Sequence, residues 1–388
     1  MCPRCSRRTT RWRTSSWRAR RRRGTRSGGC RSGGLTRRTS RPPSPISTTR
    51  PPVASRARSR RRSSSNASPR ERGAGRISTS SPGTPRRSPV DRWAARCRPP
   101  APPSRCWRPA MAEGADPRLT PARPDLAADW LAGRVSAERY APAKRLVAAT
   151  ATAPVTATPD ADAPMTTELL CGEGFDAYET GPSWVWGQGE DGYVGYAPAA
   201  CFAPEAARRD TRISTLTAHV YPEPDIKTRP IAALPFAARV AAGSAEKGFR
   251  PLAQGGWVVE AHLAPAADPE PDWVTVAERF LGAPYLWGGR SAAGIDCSGL
   301  VQIARAAAGL PCLRDSDMQE AAPGRTPKRL RRGDLVFWKG HVGVMTSPTL
   351  LLHANAHHMT VVREPLAEAE ARIAAKGGGR PTAFRRWR

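Results

Sequence analysis

The sequence predicts an α+β protein. A C-terminal domain would have an antiparallel sheet and a cysteine at a helix N-terminus, and two small β-barrels and a disordered basic segment would precede it. Residues 1–110 are rich in arginine and poor in core-forming side chains. After a polar lead-in at 111–145, residues 146–266 contain short Val, Thr and aromatic runs broken by Gly, Pro and Asp, typical of strands and tight turns. Residues 272–388 combine helical apolar spacing with strand-like runs.

The basic segment, residues 1–110, carries the whole net charge of the chain. It holds 31 Arg and no Lys, and Glu71 and Asp91 are its only acids, so it accounts for the formal charge of +29. Its composition cannot bury enough apolar surface to offset chain entropy, and disorder is predicted. One explanation is a basic arm that binds nucleic acid or an anionic surface nonspecifically, and another is a targeting segment. The composition break favours a third, a start codon assigned too far upstream with Met111 as the true start. The rest of the chain is neutral, and we expect no nucleic-acid binding by the folded part.

The β-rich region is predicted to form two barrels, over residues 146–205 and 212–266. The turn region Gln188–Val194 has a degenerate counterpart at Gln254–Val258, which indicates an internal repeat spaced by about 65 residues. Any other small all-β unit is the alternative. In the lead-in, the spacing of apolar residues predicts one helix over Pro124–Gly133.

Cys297 is the candidate nucleophile of the C-terminal domain. One helix is predicted over Trp273–Leu281, with Asp272 as its N-cap, and a second over Ser298–Ala308. Cys297 therefore stands at a helix N-terminus, where free N–H groups and the helix dipole lower the pKa of a thiol. The alternative is a buried cysteine serving as a small apolar residue, which suits Cys312 well.

Two histidines on a predicted hairpin are the candidate base and its partner. Strands are predicted over Asp334–Lys339, His341–Thr346 and Leu350–Asn355. The simplest odd-length loop puts His341 directly opposite His353, and a register shift of two keeps both on one face as diagonal neighbours. An even-length loop would separate them. His341 would take the thiol proton and His353 would hold its ring in the right tautomer.

Other interpretations of these histidines stay open at this point. Both could be satisfied, half-buried side chains. Together with Cys297 they could bind zinc, but no carboxylate or second cysteine stands near them in the sequence, so we expect no metal or other cofactor. His357 and His358 are predicted to be solvated in a loop. No run of eighteen apolar residues occurs, and no membrane span is expected.

Four phrases in the C-terminal domain resemble the successive motifs of NlpC-type peptidoglycan peptidases, which have a papain-like fold. The phrases are Tyr285–Val301 (YLWGGRSAAGIDCSGLV), Arg332–Phe337 (RGDLVF), His341–Val344 (HVGV) and Leu352–Ala354 (LHA). They follow the family's order and spacing, and the resemblance covers about residues 272–388. The upstream phrases GYVGY and GGWVVEAHL resemble, more loosely, the ends of bacterial SH3-like domains.

The resemblance implies a cysteine peptidase and assigns its catalytic residues. Cys297 matches the nucleophile, His341 the base and His353 the residue that orients the base. Tyr285 matches a tyrosine that helps to stabilise the oxyanion. No metal or cofactor is implied.

The resemblance also implies a substrate. Related enzymes cut the bond between γ-D-Glu and a diamino acid in wall peptides, so peptidoglycan-derived peptides are the expected partners. Asp296 and Ser298 match positions that bind the free amine of an N-terminal L-Ala, and Trp287 is a further candidate for substrate binding. From its sequence position alone, Asp296 could instead be a turn residue that caps the helix of Cys297. Tyr193, Tyr196 and Trp184 are candidate substrate contacts in the first barrel.

The barrels admit two roles, and each implies a location. They could bind intact wall in the cell envelope, or they could close one end of the cleft and select short peptides with a free N-terminus. The second role, with no secretory signal recognised, favours recycling of released muropeptides in the cytoplasm. The rival activities are an amidase, a different wall endopeptidase or an acyltransferase on the same scaffold. A non-enzymatic wall-binding protein and a nucleic-acid-binding protein that depends on residues 1–110 are further rivals.

Overall fold

The computed structural model describes residues 116–205 and 209–387. The arginine-rich segment 1–110, with its predicted disorder, lies outside the described residues. Within the described part, no helix is long and apolar enough to cross a membrane.

The lead-in does not contain the predicted helix over Pro124–Gly133. Leu126–Ala128 is a strand (β1) paired in parallel with Arg139–Ala141 (β2), and Asp129–Leu131 forms a single 3₁₀ turn. Leu126, Ala127 and Ala128 are all fully buried, in one cluster with Tyr178 and Trp186 of the following barrel. The helix prediction was wrong because the buried contacts of this segment with the first barrel outweigh its weak local helical pattern.

The first barrel is a seven-stranded antiparallel sheet with its own apolar core. The strands are β3 (Lys144–Ala148), β4 (Thr152–Thr156), β5 (Met165–Leu170), β6 (Gly174–Thr180), β7 (Trp184–Gly189), β8 (Val194–Pro198) and β9 (Phe202–Pro204), in the order β5-β4-β8-β7-β6-β3-β9. The predicted turn between β7 and β8 is present. Gly192 adopts φ = 87° there, a left-handed conformation that glycine reaches at little cost.

The second β unit consists of two antiparallel sheets. The strands are β10 (Thr211–Ile213), β11 (Thr217–Tyr221), β12 (Ala232–Pro235), β13 (Arg239–Val240), β14 (Phe249–Pro251), β15 (Trp257–Val259) and β16 (Leu263–Pro265), in the orders β13-β10-β16 and β12-β11-β15-β14. A separate core of small and branched side chains fills it. Its assignment as a second SH3-like domain stays a prediction.

The C-terminal domain packs helices on a five-stranded antiparallel sheet. The helices are α1 (Trp273–Arg279), α2 (Cys297–Ala307), α3 (Ser316–Ala321) and α4 (Leu366–Ala375). The strands are β17 (Arg290–Ser291), β18 (Gly294–Ile295), β19 (Leu335–Trp338), β20 (His341–Met345), β21 (Leu350–Asn355), β22 (Thr360–Pro365) and β23 (Ala383–Arg385). The sheet order is β22-β21-β20-β19-β23. This architecture confirms the predicted antiparallel sheet and the cysteine at a helix N-terminus.

Both faces of the sheet are covered. Leu300 of α2 shares a fully buried core with Val344 and Leu352 on one face. Ala369 of α4 packs with Met345 in a second cluster on the other face. The loops and strand ends around the N-terminus of α2 are therefore held by a rigid framework.

The β20–β21 hairpin has a different register from the simplest one. Val344 pairs with Leu352 and Met345 with Leu351, so His341 does not lie directly opposite His353. The strands are shifted by two residues, and this shift preserves the alternation of side chains. Both histidines therefore still share one face, as diagonal neighbours.

Candidate active site

Cys297 is the first residue of α2, and Asp296 caps that helix. Asp296 Oδ1 accepts a hydrogen bond from the Gly299 backbone N–H at 2.7 Å, which satisfies one of the free donors of the first turn. Cys297 is only 7% exposed. Its thiol interacts with the backbone N–H groups of Ser298 and Val342. The second contact puts it against the start of β20, at the residue that follows His341 in the chain.

The Cys297 thiol is protonated at neutral pH. Burial raises its pKa to about 12, and the neighbouring Asp296 charge adds to the increase. The N–H groups of Val342 and Ser298 and the charge of Arg314 oppose this shift without outweighing it. The structure thus differs from the sequence-based prediction of a lowered pKa, because desolvation of a buried thiolate exceeds the stabilisation at the helix N-terminus.

Arg314 neutralises the Asp296 carboxylate beside Cys297. Its guanidinium binds both carboxylate oxygens, Nη1 to Oδ1 at 3.0 Å and Nη2 to Oδ2 at 2.6 Å. Nη1 also donates to the Ser298 hydroxyl at 2.9 Å, and Nε donates to Thr167 Oγ1 in β5 of the first barrel at 2.8 Å. The Arg314 side chain is 1% exposed. Arg314 was not predicted from the sequence, because nothing in its local pattern distinguishes it from a surface arginine.

The side chains of Asp296 and Ser298 are thus hydrogen-bonded to other groups of the protein. Asp296 Oδ2 also accepts from the Gly288 backbone N–H at 2.8 Å. Asp296 therefore acts as a helix cap and as the partner of Arg314, and its charge is already compensated. An ammonium group of a substrate would have to compete with Arg314 for it.

His341 and His353 form a direct hydrogen bond. His341 Nε2 lies 2.8 Å from His353 Nδ1, as their shared face of the β20–β21 hairpin predicts. Burial lowers the pKa of His341 to about 3, and the neighbouring His353 and Arg372 contribute in the same direction. Burial also lowers the pKa of His353, while Glu364 opposes this shift. The resting site thus holds a neutral thiol and a neutral His341 ring.

Glu364 lies on the far side of His353, and the sequence analysis missed it. Its Oε1 is 2.7 Å from His353 Nε2, and it also pairs with Arg372 of α4. Val362 and Glu364 lie on the same face of β22, but predicting that this face carries Glu364 to His353 requires knowledge that β22 pairs with β21.

Tyr285 stands beside the strand that leads into Cys297. Its backbone forms a parallel bridge with Ile295, and its N–H donates to Met359 O at 2.9 Å. Burial raises the pKa of its hydroxyl, as do the nearby Cys297 and Asp296 groups, so the hydroxyl remains a proton donor at neutral pH. Trp287, two residues further, is 64% exposed, and its ring is accessible to a ligand.

The first barrel also reaches this site through Tyr193. Its hydroxyl donates to Asp315 Oδ2 at 3.1 Å, and Arg118 of the lead-in donates to the same oxygen at 2.8 Å. Asp315 directly follows Arg314, and its side chain is 23% exposed.

The other two candidate substrate contacts of the first barrel lie at a different place on its surface. Tyr196 and Trp184 line a separate groove of about 630 Å³, and the Tyr196 hydroxyl accepts from Arg123 at 2.7 Å. His357 and His358 are exposed, as predicted. Among the described residues, no group of three or more His, Cys, Asp or Glu side chains is arranged to hold a metal ion.

Replacing Arg314 tests whether the buried ion pair supports the site. Arg314→Met leaves the Asp296 carboxylate buried without its partner, and we expect the free energy of unfolding to fall by about 3–5 kcal/mol. Adding Asp296→Asn in the same chain restores part of this loss, because the uncompensated charge is gone. Urea denaturation measures both.

The matched control is Arg363→Met, which removes an arginine whose side chain is 46% exposed and lies 3.6 Å from Glu278. A surface pair of this kind contributes at most about 1 kcal/mol. Equal losses in Arg314→Met and Arg363→Met would contradict a special role for the buried pair.

Two family profiles match the chain. The profile of the NlpC/P60 family matches residues 282–372, and that of the bacterial dipeptidyl-peptidase SH3 domain matches residues 155–200. The first span contains the three residues of the Cys–His–His arrangement, and the second lies within the first barrel.

Several curated relatives match parts of the chain. Dipeptidyl-peptidase 6 of Lysinibacillus sphaericus is 40% identical over 84 residues, which cover 21% of this chain and 31% of the relative. A gamma-D-glutamyl-L-lysine dipeptidyl-peptidase of Bacillus cereus is 32% identical over 110 residues, which cover 28% of this chain and 32% of the relative. The chain thus spans about a third of the length of these relatives.

The fold has a solved counterpart. The crystal structure of an NlpC/P60 family protein from Bacillus cereus matches with a TM-score of 0.52 and 19% identity, over 63% of this chain and 99% of that one. At this identity the match concerns the fold. By the two profile matches, residues 282–372 are a domain of the NlpC/P60 family of cell-wall peptidases, and the chain carries a bacterial SH3 domain before it.

Proposed function

We propose that this protein is a cysteine peptidase that hydrolyses the γ-D-glutamyl–diamino acid bond of wall peptides with a free N-terminal L-Ala. The observation that carries the proposal is the hydrogen-bonded pair of His341 and His353 at the strand against which the Cys297 thiol lies. A thiol nucleophile requires a base, and the base requires a group that orients it. No metal or cofactor takes part in the proposed reaction.

The proposed reaction starts with proton transfer. His341 takes the proton of the Cys297 thiol while the sulfur attacks the amide carbonyl carbon, because both groups are neutral in the resting site. The carbonyl oxygen becomes an oxyanion, stabilised by the Cys297 backbone N–H and the Tyr285 hydroxyl. Each such donor is typically worth about 3 kcal/mol in the transition state.

The tetrahedral intermediate then collapses. The C–N bond breaks, and His341 gives its proton to the leaving amine of the diamino acid. The acyl group remains on Cys297 as a thioester. A water molecule, deprotonated by His341, attacks the thioester carbonyl, and the thiol leaves with the proton that His341 returns.

The position of the first barrel supports a short peptide as substrate. Thr167 and Tyr193 of this barrel contact Arg314 and Asp315, so the barrel borders the loop beside the nucleophile. A barrel at this position closes one end of the cleft and favours a peptide that ends there. The names of the relatives, gamma-D-glutamyl-L-lysine dipeptidyl-peptidases, are consistent with this class of bond.

The free N-terminal amine of such a peptide requires a negatively charged partner at the closed end of the proposed cleft. Asp296 is the sequence-based candidate, and its charge is compensated by Arg314. Asp315 is the neighbouring carboxylate, and we include it as the second candidate because it keeps partial exposure although it pairs with Arg118. Recognition of a free amine implies released muropeptides, and we place their recycling in the cytoplasm as part of the same proposal.

The proposal is tested with two matched peptides. L-Ala-γ-D-Glu-meso-diaminopimelate and its N-acetylated form are incubated with wild-type protein, and products are identified by mass spectrometry. We expect L-Ala-γ-D-Glu from the free-amine peptide only. Cys297→Ala abolishes the release, whereas Cys312→Ala, which removes the other cysteine of the same domain, retains it.

Other outcomes would favour the rivals. Cleavage of intact wall sacculi but of neither peptide would contradict the closed cleft and the cytoplasmic role. Absence of any cleavage would favour a wall-binding protein.

The protonation state of Cys297 gives a second prediction. Because burial raises the thiol pKa to about 12, the free protein holds a thiol and not a thiolate at neutral pH. The ultraviolet absorbance of a thiolate, taken as the difference between wild type and Cys297→Ala, should show no step between about pH 5 and about pH 8. A step in that range would indicate a preformed thiolate–imidazolium pair and would contradict the neutral resting state.

A further inference from the structure

Glu364 is a mostly buried carboxylate that the proposed reaction does not yet use. Its side chain is 13% exposed, against 0% for His353, which it contacts. A buried carboxylate is costly unless it is paired and hydrogen-bonded. Its position next to the orienting histidine indicates a role in the site.

The register of the sheet brings Glu364 into line with the two histidines. Glu364 in β22 pairs with Leu351 of β21, two residues along from His353. His341 in β20 is likewise a diagonal neighbour of His353, on its other side. Adjacent strands thus contribute one polar side chain each, along a diagonal on one face of the sheet.

The hydrogen bonds along this diagonal allow one arrangement of protons. An ionised carboxylate only accepts, so His353 Nε2, at 2.7 Å from Glu364 Oε1, carries a proton. In the neutral ring, His353 Nδ1 is then an acceptor. His341 Nε2, 2.8 Å away, must donate to it, and His341 Nδ1 is left without a proton.

We propose that Glu364 is a positioning residue that fixes the tautomers of both histidines, so that His341 presents an unprotonated Nδ1 to the Cys297 thiol. This inference rests on the proposed function of Cys297, His341 and His353. With the protons reversed, His353 Nδ1 would donate to His341 Nε2, and His341 would carry its proton on Nδ1. That ring could not accept the thiol proton.

The groups around Glu364 keep it ionised. Burial raises its pKa, but the hydrogen bond from His353 and the charge of Arg372 outweigh burial, so the pKa lies below its ordinary value. Arg372 reaches Glu364 from α4, and His358 is the other titratable group whose charge acts on it. The carboxylate is thus an acceptor throughout the neutral range.

The same carboxylate stabilises the charge that forms during catalysis. When His341 takes the thiol proton, the pair of rings gains one positive charge in a buried site. Glu364, one ring away, offsets this charge, as the carboxylate of a catalytic triad does for its histidine.

The test removes the charge of Glu364 without changing its shape. Glu364→Gln keeps an acceptor oxygen, but its amide N–H can also donate to His353 Nε2 and permit the reversed tautomers. We expect kcat for the free-amine peptide to fall roughly 10–100-fold with KM changed less than about twofold, a smaller loss than for a carboxylate that contacts the base directly. Glu368→Gln, at an exposed position of α4, is the matched control and retains kcat.

A readout independent of activity separates this inference from the proposed function. Nitrogen-15 NMR of histidine-labelled full-length protein reports which ring nitrogen carries the proton. We expect His341 and His353 both protonated on Nε2 in wild type, and a changed proton distribution in Glu364→Gln. This result can be obtained whether or not the protein cleaves the peptide.

Two results would overturn the inference. One is a wild-type His341 protonated on Nδ1. The other is a Glu364→Gln protein that has the wild-type tautomers and a kcat within twofold of wild type. Thermal denaturation of the variant excludes unfolding as the cause of any loss.

Discussion

The buried pair of Asp296 and Arg314 is the interaction on which the site depends. An unpaired carboxylate at the N-terminus of the helix that begins at Cys297 would cost several kcal/mol, and the bidentate arginine removes that cost. The same two side chains bind the backbone of Gly288, the hydroxyl of Ser298 and the hydroxyl of Thr167. One ion pair thereby joins the loop after Tyr285, the start of the helix and the first barrel. The barrel is for this reason anchored to the loop beside Cys297 by a buried side-chain contact.

The sheet supplies the second constraint. Strand register decides which side chains meet, and a shift of two residues in β20 and β21 turned an expected opposite pair of histidines into a diagonal one. The next strand continues the diagonal to Glu364. The positions of the protons in the site therefore follow from the pairing of three strands. Each neutral imidazole ring keeps one tautomer because the hydrogen-bond partner beside it is held in place. Burial supports this arrangement of protons, since it keeps both Cys297 and His341 uncharged.

Local pattern was enough to predict the helix that begins at Cys297 and the strands that carry the two histidines, because apolar periodicity and turn residues act over a few positions. It also placed His341 and His353 on one face, since that conclusion depends only on alternation. Arg314 and Glu364 could not be predicted in this way. Their partners are fixed by tertiary contacts that no local pattern reveals. The same reason explains the wrong lead-in helix and the raised pKa of Cys297, both of which depend on burial by distant segments.

The most direct test of the account is labelling by a substrate-like electrophile, an L-Ala-γ-D-Glu diazomethyl ketone, followed by peptide mapping. The reagent carries the proposed acyl part and alkylates a thiol only where a base assists. Cys171, Cys201 and Cys312 are free cysteines of the described part and serve as internal controls. We expect one adduct, on Cys297, which is lost in His341→Ala and suppressed by the free-amine peptide. Equal labelling of the other cysteines, or no adduct on Cys297, would contradict it.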